Sequence, residues 1–376
     1  MGQQRSAALH AELAATAVLD LRRRTARPRI ASVATSTPPH SYTQDELLDE
    51  LCITDPKVVS VFRGSAIERR HLVLPPQAPD GTRDSEGQAQ LLAKQREVGL
   101  EIGAEAIVGA LKQAGLEPRD VDYLCCVTST GLMTPGFSAR LLKQLRMRTD
   151  TSRLDVVGMG CNAGLNALSP VASWAETHPG HIAVMVCIEV CSAAYAFDAT
   201  MRTSVVNSLF GDGAAAVVVS TDPSGGLDGS GPQILHIRSH IIPEAVEAMR
   251  FDWDEQHDRY SFYLDPDVPY IVGANIEQAL GQLLDGSGLR RSDIAHWLIH
   301  SGGKKVIDSL RVNVNLSRHD VRHTLGVLRD YGNVSSGSFL FSYERLTDEG
   351  CAQPGDYGVM VTMGPGSTIE TALLRW

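Results

Sequence analysis

Three residues in this 376-residue chain have types and settings suited to chemistry at a carbonyl group: Cys161, His300 and Asn333. Cys161 stands in Gly158-Met159-Gly160-Cys161-Asn162-Ala163-Gly164, after the apolar run Leu154-Asp155-Val156-Val157 and before a helical pattern at Leu165, Leu168, Val171 and Trp174. That order predicts a tight strand-to-helix turn with the thiol exposed on it. A helix start offers unpaired N–H groups and a partial positive charge, both of which favour thiolate over thiol. Two other readings compete. Free cysteines are among the most buried residue types, so Cys161 could be a core thiol. Gly158, Gly160 and Ala163 also satisfy G-x-G-x-x-A after a strand, with Glu176 in the place of a ribose-binding acid, which would make the turn a dinucleotide cradle.

His300 ends the apolar strand pattern Trp297-Leu298-Ile299 and opens Ser301-Gly302-Gly303-Lys304-Lys305, so its ring emerges at the carboxyl end of a strand, where α/β sites gather. His296, on the same strand with a different facing, reads as a satisfied core residue. Asn333 lies in Tyr331-Gly332-Asn333-Val334-Ser335-Ser336-Gly337-Ser338, a glycine-flanked turn before the helical run Phe339 to Leu346. Taken alone, it could be an ordinary Asn-containing turn.

The elements that must position these three are an alternation of short Val/Ile-rich strands and longer helical patterns starting at Pro28. Strands are expected at Arg29 to Ala34, Tyr123 to Thr128, His181 to Ile188, Ala214 to Ser220, His296 to His300 and Gly358 to Met363, with a helix at Lys305 to Val312. Residues 1–27 read as a peripheral helix ending in Arg22-Arg23-Arg24. The Gly-, Ser-, Asp- and Pro-rich stretch Thr221 to Pro232 reads as a connector, giving an N-terminal half over 28–222 and a C-terminal half over 223–376.

Composition limits the function classes. With 43% hydrophobic residues the chain can bury a large core. Its net charge of −10 disfavours nucleic-acid and anionic-membrane partners, and no apolar run reaches the ~20 residues that span a bilayer. A cytoplasmic location follows. The seven cysteines show neither paired-loop nor CxxC spacing, so they are expected as reduced thiols, with no metal site. An anionic substrate would then need a local basic patch, and Arg63, Arg69, Arg70, Lys304 and Lys305 form one candidate set.

Taken together, Gly160-Cys161-x-Ala163-Gly164, His300 before a double glycine, and Tyr331-Gly332-Asn333-x-Ser335-Ser336 resemble the thiolase superfamily in order, spacing and flanking text. Phe210-Gly211-Asp212-Gly213-Ala214-Ala215-Ala216 and Met363-Gly364-Pro365-Gly366 extend the likeness, which runs from about Pro28 to the C-terminus. The Gly-Pro-Gly loop and His300-Ser301-Gly302-Gly303 resemble the type III polyketide synthases, the chalcone synthase kind, more than ketoacyl synthase III. Within that group, the text from His300 to Asp308 and from Arg329 to Phe341 is similar to the bacterial 3,5-dihydroxyphenylacetyl-CoA synthases.

The resemblance implies an αβαβα five-layer fold and a homodimer that extends CoA thioesters with malonyl-CoA and needs no cofactor. It implies Cys161 as nucleophile, held as thiolate beside His300, with His300 and Asn333 donating to the malonyl thioester oxygen as carbon dioxide leaves. Phe210 and Phe262 match paired aromatic gatekeepers, and Ser129, Thr130, Cys191, Ala194, Ser335 and Gly366 match cavity-wall or substrate-binding positions. Thr134 stands where plant members often carry a methionine that reaches the partner subunit. The product implied is a tetraketide from four malonyl units, finished by dehydratase or crotonase-type helpers for antibiotic biosynthesis. Four alternatives stay open: ketoacyl synthase III chemistry on a carrier protein, another acyl-CoA starter, a papain-like hydrolase with the same Cys, His, Asn order, and a non-catalytic partner subunit.

Overall fold

The computed structural model describes residues 27–77, 79, 83, 86–194, 201–221, 231–255 and 258–376. The expected N-terminal helix and most of the Thr221 to Pro232 connector lie outside the described residues.

Strand-forming text gives a nine-stranded sheet in the order β11-β12-β13-β8-β1-β7-β6-β4-β5. Its members are β1 Arg29–Ser36, β4 Val121–Thr128, β5 Ser152–Val157, β6 Ile182–Glu189, β7 Gly213–Ser220, β8 Gln233–Ile241, β11 Ile294–Ile299, β12 Tyr357–Gly364 and β13 Thr368–Arg375. The sheet has two parts joined at one residue pair, Arg29 with Gln233 between β1 and β8. On the first side, β1 runs antiparallel to β7, β7 antiparallel to β6, and β6 parallel to β4. On the second, β8 runs antiparallel to β13, β13 antiparallel to β12, and β12 parallel to β11. The same pattern of pairing therefore occurs twice.

The period-two alternation of side chains decides the layers. On β7, Ala215, Val217 and Val219 face a central core while Ala214, Ala216 and Val218 face an outer one; β6 alternates likewise at Ala183 to Ile188. On β12, Met360 joins the central core, and Val359 and Val361 join the opposite outer core. Both faces are buried, so these strands read as continuous apolar runs rather than polar–apolar alternations.

The central layer holds helices α5 (Ala163–Thr177) and α10 (Ser338–Glu349), and each touches strands of both sheet parts. Leu165, Leu168 and Val171 of α5 and Phe339, Leu340 and Phe341 of α10 are buried there. One outer layer is α3 (Gln88–Gln113) with α4 (Phe137–Gln144); the other is α7 (Val268–Leu284) with α8 (Lys304–Asn313). This is the αβαβα stack. Smaller pieces rim one end: α1 (Gln44–Glu50), α2 (Pro56–Arg63), the pair β2 (Ser41–Thr43) and β3 (Arg69–His71), α6 (Met201–Leu209), the hairpin β9 (Met249–Asp254) and β10 (Arg259–Leu264), and α9 (Arg322–Tyr331).

No described helix is long and apolar enough to cross a membrane. All seven cysteines are free thiols. Among the described residues, no group of three or more His, Cys, Asp or Glu side chains is placed to hold a metal ion.

Candidate functional site

The cysteine turn forms where β5 ends. Gly158 and Gly160 take φ of +83° and +79°, values that L side chains rarely adopt, and one short turn of 3₁₀ helix over Gly160–Asn162 leads into α5. The Gly364-Pro365-Gly366 loop after β12 closes over this turn. A Cβ on Gly160 would lie 2.2 Å from Pro365 Cδ, and one on Gly364 would lie 3.0 Å from the Cys161 backbone nitrogen. Pro365 thus fills the space that a pyrophosphate would need, which argues against the dinucleotide reading.

The thiol is not exposed as the turn alone implied: Cys161 is 8% accessible, and its Sγ lies 3.6 Å from Ser335 Oγ. Burial, with a contribution from the Glu189 carboxylate, pushes the thiol up to about 12, against hydrogen bonds from Ser335 and Asn333 that lower it.

His300 follows β11 and is fixed by its own N–H donating to the Val361 carbonyl at 2.8 Å. Its ring is buried, Nδ1 has no hydrogen-bond partner among the described residues, and burial drives the imidazole down to about 3. Burial thus opposes the charged form of each group taken alone.

Asn333 follows α9 through Gly332, whose φ of +72° turns the chain inward. Its N–H donates to the Leu209 carbonyl at 2.9 Å, and its carbonyl accepts from Gly211 N–H at 3.0 Å, forming a bridge to Phe210. The side-chain Oδ1 accepts from Ser335 N–H at 2.9 Å, so Nδ2, with two N–H groups, is the donor shared between the Cys161 thiol and a ligand.

Cys161, His300, Asn333, Phe210 and Phe262 line one pocket of about 380 Å³, together with Met363, Gly302 and Gly303. The Phe210 and Phe262 rings meet edge to face at 6.0 Å. Cys191 and Ala194 pack in the same apolar cluster as Cys161 and the two phenylalanines. Ser129 and Thr130 sit behind it: Ser129 N–H donates to Glu189 at 3.0 Å, and Thr130 Oγ1 accepts from Val190 N–H at 3.0 Å. Gly366 turns β12 into β13 with φ of +74° and is not among the described lining residues.

Of the basic set, Lys304 and Lys305 line the pocket, and Lys304 Nζ also pairs with Asp308 at 2.6 Å. Arg63 is exposed and pairs with Asp45 at 2.9 Å, while Arg69 is exposed on β3; neither lines the pocket. Arg70 contradicts its assignment to phosphate binding. It has no accessible surface, and its guanidinium donates to the Phe210 carbonyl and to Gln44 Oε1.

One residue escaped the sequence reading. Glu189 ends β6 fully buried, accepting from Ser129 N–H and Ser336 Oγ, and burial raises it to about 7. An acid closing an otherwise apolar strand was its only mark. His296 is indeed a satisfied residue, pairing with Asp356 at 2.9 Å.

Comparison with known proteins agrees with this geometry. Residues 233–376 match the model for chalcone and stilbene synthases, C-terminal domain, and residues 57–283 match FAE1/type III polyketide synthase-like proteins. The chain is 60% identical to a 3,5-dihydroxyphenylacetyl-CoA synthase of Streptomyces toyocaensis, over 93% of this chain and 90% of that one. It is 59% identical to the enzyme of that name from Amycolatopsis balhimycina, over 93% of each. Among solved structures it is similar to 1,3,6,8-tetrahydroxynaphthalene synthase of Streptomyces coelicolor A3(2), with a TM-score of 0.83 at 27% identity over 93% of this chain and 99% of that one. The chain belongs to the type III polyketide synthases, the family of the chalcone and stilbene synthases.

Proposed function

We propose that this polyketide synthase condenses four malonyl-CoA units, priming itself with one of them, and yields 3,5-dihydroxyphenylacetyl-CoA for antibiotic biosynthesis. The observation that carries the reading is the convergence of Cys161, His300, Asn333 and the Phe210–Phe262 pair on one pocket with two lysines along its wall.

The proposed cycle follows from the placement of these groups. Cys161 Sγ attacks the starter thioester while its proton moves to His300, and CoA leaves as the thiol. Malonyl-CoA then enters, and its thioester oxygen receives hydrogen bonds from the His300 ring and Asn333 Nδ2. Loss of carbon dioxide puts negative charge on that oxygen, and each donor supplies roughly 3–4 kcal/mol at the transition state. The enolate carbon attacks the acyl group on Cys161, expelling the thiolate and returning a CoA thioester two carbons longer. The phenylalanines shield the enolate from water, and Ser129, Thr130, Cys191, Ala194 and Ser335, packed behind the lining, with Gly366 at the turn after β12, set the room for chain folding. Lys304 and Lys305 face the CoA phosphates, with Arg63 and Arg69 farther out. No cofactor beyond CoA thioesters enters this scheme.

Residues 28–222 then supply the nucleophile and 223–376 the two donors. Aromatisation by loss of water is assigned to a dehydratase or crotonase-type helper. The chain works in the cytoplasm as a homodimer. Its edge strand β5 has one side unpaired among the described residues and an exposed Val157, which supports pairing with a second copy. Light scattering should then give twice the chain mass of 40.6 kDa.

The test is incubation with malonyl-CoA alone, following carbon dioxide, free CoA and products by mass spectrometry, beside Cys161→Ala. A C8 product absent from the variant supports the proposal. Turnover only with an added acyl-CoA overturns the self-priming step, and turnover only with carrier-bound malonate moves the chain to ketoacyl synthase III chemistry.

A further inference from the structure

We propose that Arg70 is a positioning residue, clamping the one backbone segment from which the Phe210 ring and the Asn333 amide are both held. This deepens the reading above and rests on it.

Three consecutive carbonyls at the end of α6 are each held by a different donor. Ser208 O accepts from Gln44 Nε2 at 2.8 Å, Leu209 O from Asn333 N–H at 2.9 Å, and Phe210 O from Arg70 Nη1 at 2.6 Å. Arg70 Nη2 donates to Gln44 Oε1 at 3.0 Å, which joins the first and third anchors through one planar fork. Gln44 Nε2 also reaches Ser65 Oγ at 2.8 Å, and Ser65 lines the pocket mouth.

The arginine stem is confined as tightly as its head. A Cβ on Gly332 would lie 2.9 Å from Arg70 Cδ, and one on Gly211 would lie 3.6 Å from Arg70 Cβ. Gly332 and Gly211 are the residues flanking Asn333 and Phe210 in sequence, so both functional side chains pivot on backbone that touches this arginine. The adjoining residues continue the seam: Asp212 N–H donates to the His71 carbonyl at 2.8 Å, and Val73 N–H donates to Asp212 Oδ2 at 3.0 Å.

Burying a cation is costly, and a well-packed apolar side chain commonly serves stability as well. The guanidinium stays charged at neutral pH, although burial lowers it to about 9. Its geometric service is to hold two acceptors, on different segments, in fixed register. Loss of the fork lets Phe210 O drift, and the Asn333 backbone, bonded to residues on either side of Phe210, drifts with it.

The test uses the full chain with Arg70→Met, Arg70→Lys and Gln44→Met. Iodoacetamide titration of Cys161 counts intact sites, circular dichroism reports folding, and steady-state assays give kcat and KM for malonyl-CoA decarboxylation. Arg70→Met should keep KM within about threefold and lower kcat per titrated site by about tenfold or more, with Arg70→Lys between it and the native chain. Gln44→Met, which spares the arginine, should lower kcat in the same direction by a smaller factor and carries the test where Arg70→Met does not fold.

Unchanged kcat per site would reduce Arg70 to a packing role, and a raised KM with unchanged kcat would return it to phosphate binding. Hydrogen exchange at the Gly211 and Asn333 amides reads the clamp without any turnover, and it should quicken in Arg70→Met. Equal exchange in both proteins would overturn the clamp. A native chain that fails to decarboxylate malonyl-CoA would overturn the proposed function instead.

Discussion

Replacing Asn333 by Asp separates hydrogen-bond donation from shape. Asn333 Oδ1 is already committed to Ser335 N–H at 2.9 Å, and an aspartate would preserve that bond and the side-chain volume. What changes is the opposite atom: the Nδ2 donor becomes a second carboxylate oxygen in a pocket where residue 333 is 2% accessible. Loss of one donor to the developing enolate costs about 3–4 kcal/mol, or roughly 10²–10³ in kcat. Like-charge repulsion in a site shielded from water then adds to the loss, so Asp should fall below Ala, which removes the donor alone. Burial raises the new carboxyl above its ordinary value, so part of the Asp deficit should return as pH falls and the acid becomes neutral. The assay is carbon dioxide release from malonyl-CoA across pH, with acyl loading of Cys161 followed by mass spectrometry as the internal control. Decarboxylation within about tenfold of the native rate, or Asp at or above Ala at neutral pH, would refute the role given to Nδ2.

Cys161→Ala should abolish condensation while retaining measurable decarboxylation, because the two donors remain; product and carbon dioxide are measured together. His300→Ala should slow alkylation of Cys161 by iodoacetamide at neutral pH, since the ring that takes the Sγ proton is gone while burial still opposes the thiolate; alkylation rate against pH measures it. Gly160→Ala forces a φ of +79° on a residue with a Cβ, worth about 1–2 kcal/mol, and drives that atom against Pro365; Tm should drop by several degrees and turnover with it. Burial raises Glu189 from 4.5 to about 7, so its contribution to stability is full below pH ~4.5 and is lost as pH rises through about 7. Glu189→Gln removes that slope, and its Tm relative to the native chain should therefore increase from about pH 5 to about pH 8.

Local text made much of this fold readable. Val/Ile-rich runs became strands within two residues of their expected ends, because strands buried on both faces are written as short continuous apolar words. The turns carrying Cys161 and Asn333 were visible for the same reason: glycine at a positive φ is a local requirement. What escaped was decided by distant segments. Arg70 sits beside Glu68 and Arg69 and reads as one more surface base, and only the packing of Gln44, Phe210 and Gly332 buries it. The accessibility of Cys161 was misjudged because its cover, Gly364-Pro365-Gly366, comes from the other end of the chain. The β9–β10 hairpin was not read at all, and Phe262 was placed by resemblance alone.

The contact between Gly160 and Pro365 also bears on how such a chain can diverge. Any side chain at 160 must displace the proline ring, and any side chain at 364 must displace the backbone on either side of the nucleophile. The two loops are thus inherited as one unit: a change in either survives only with an answering change in the other. Novelty in product should accordingly accumulate along the phenylalanine-lined walls, while the seam over the thiol resists drift.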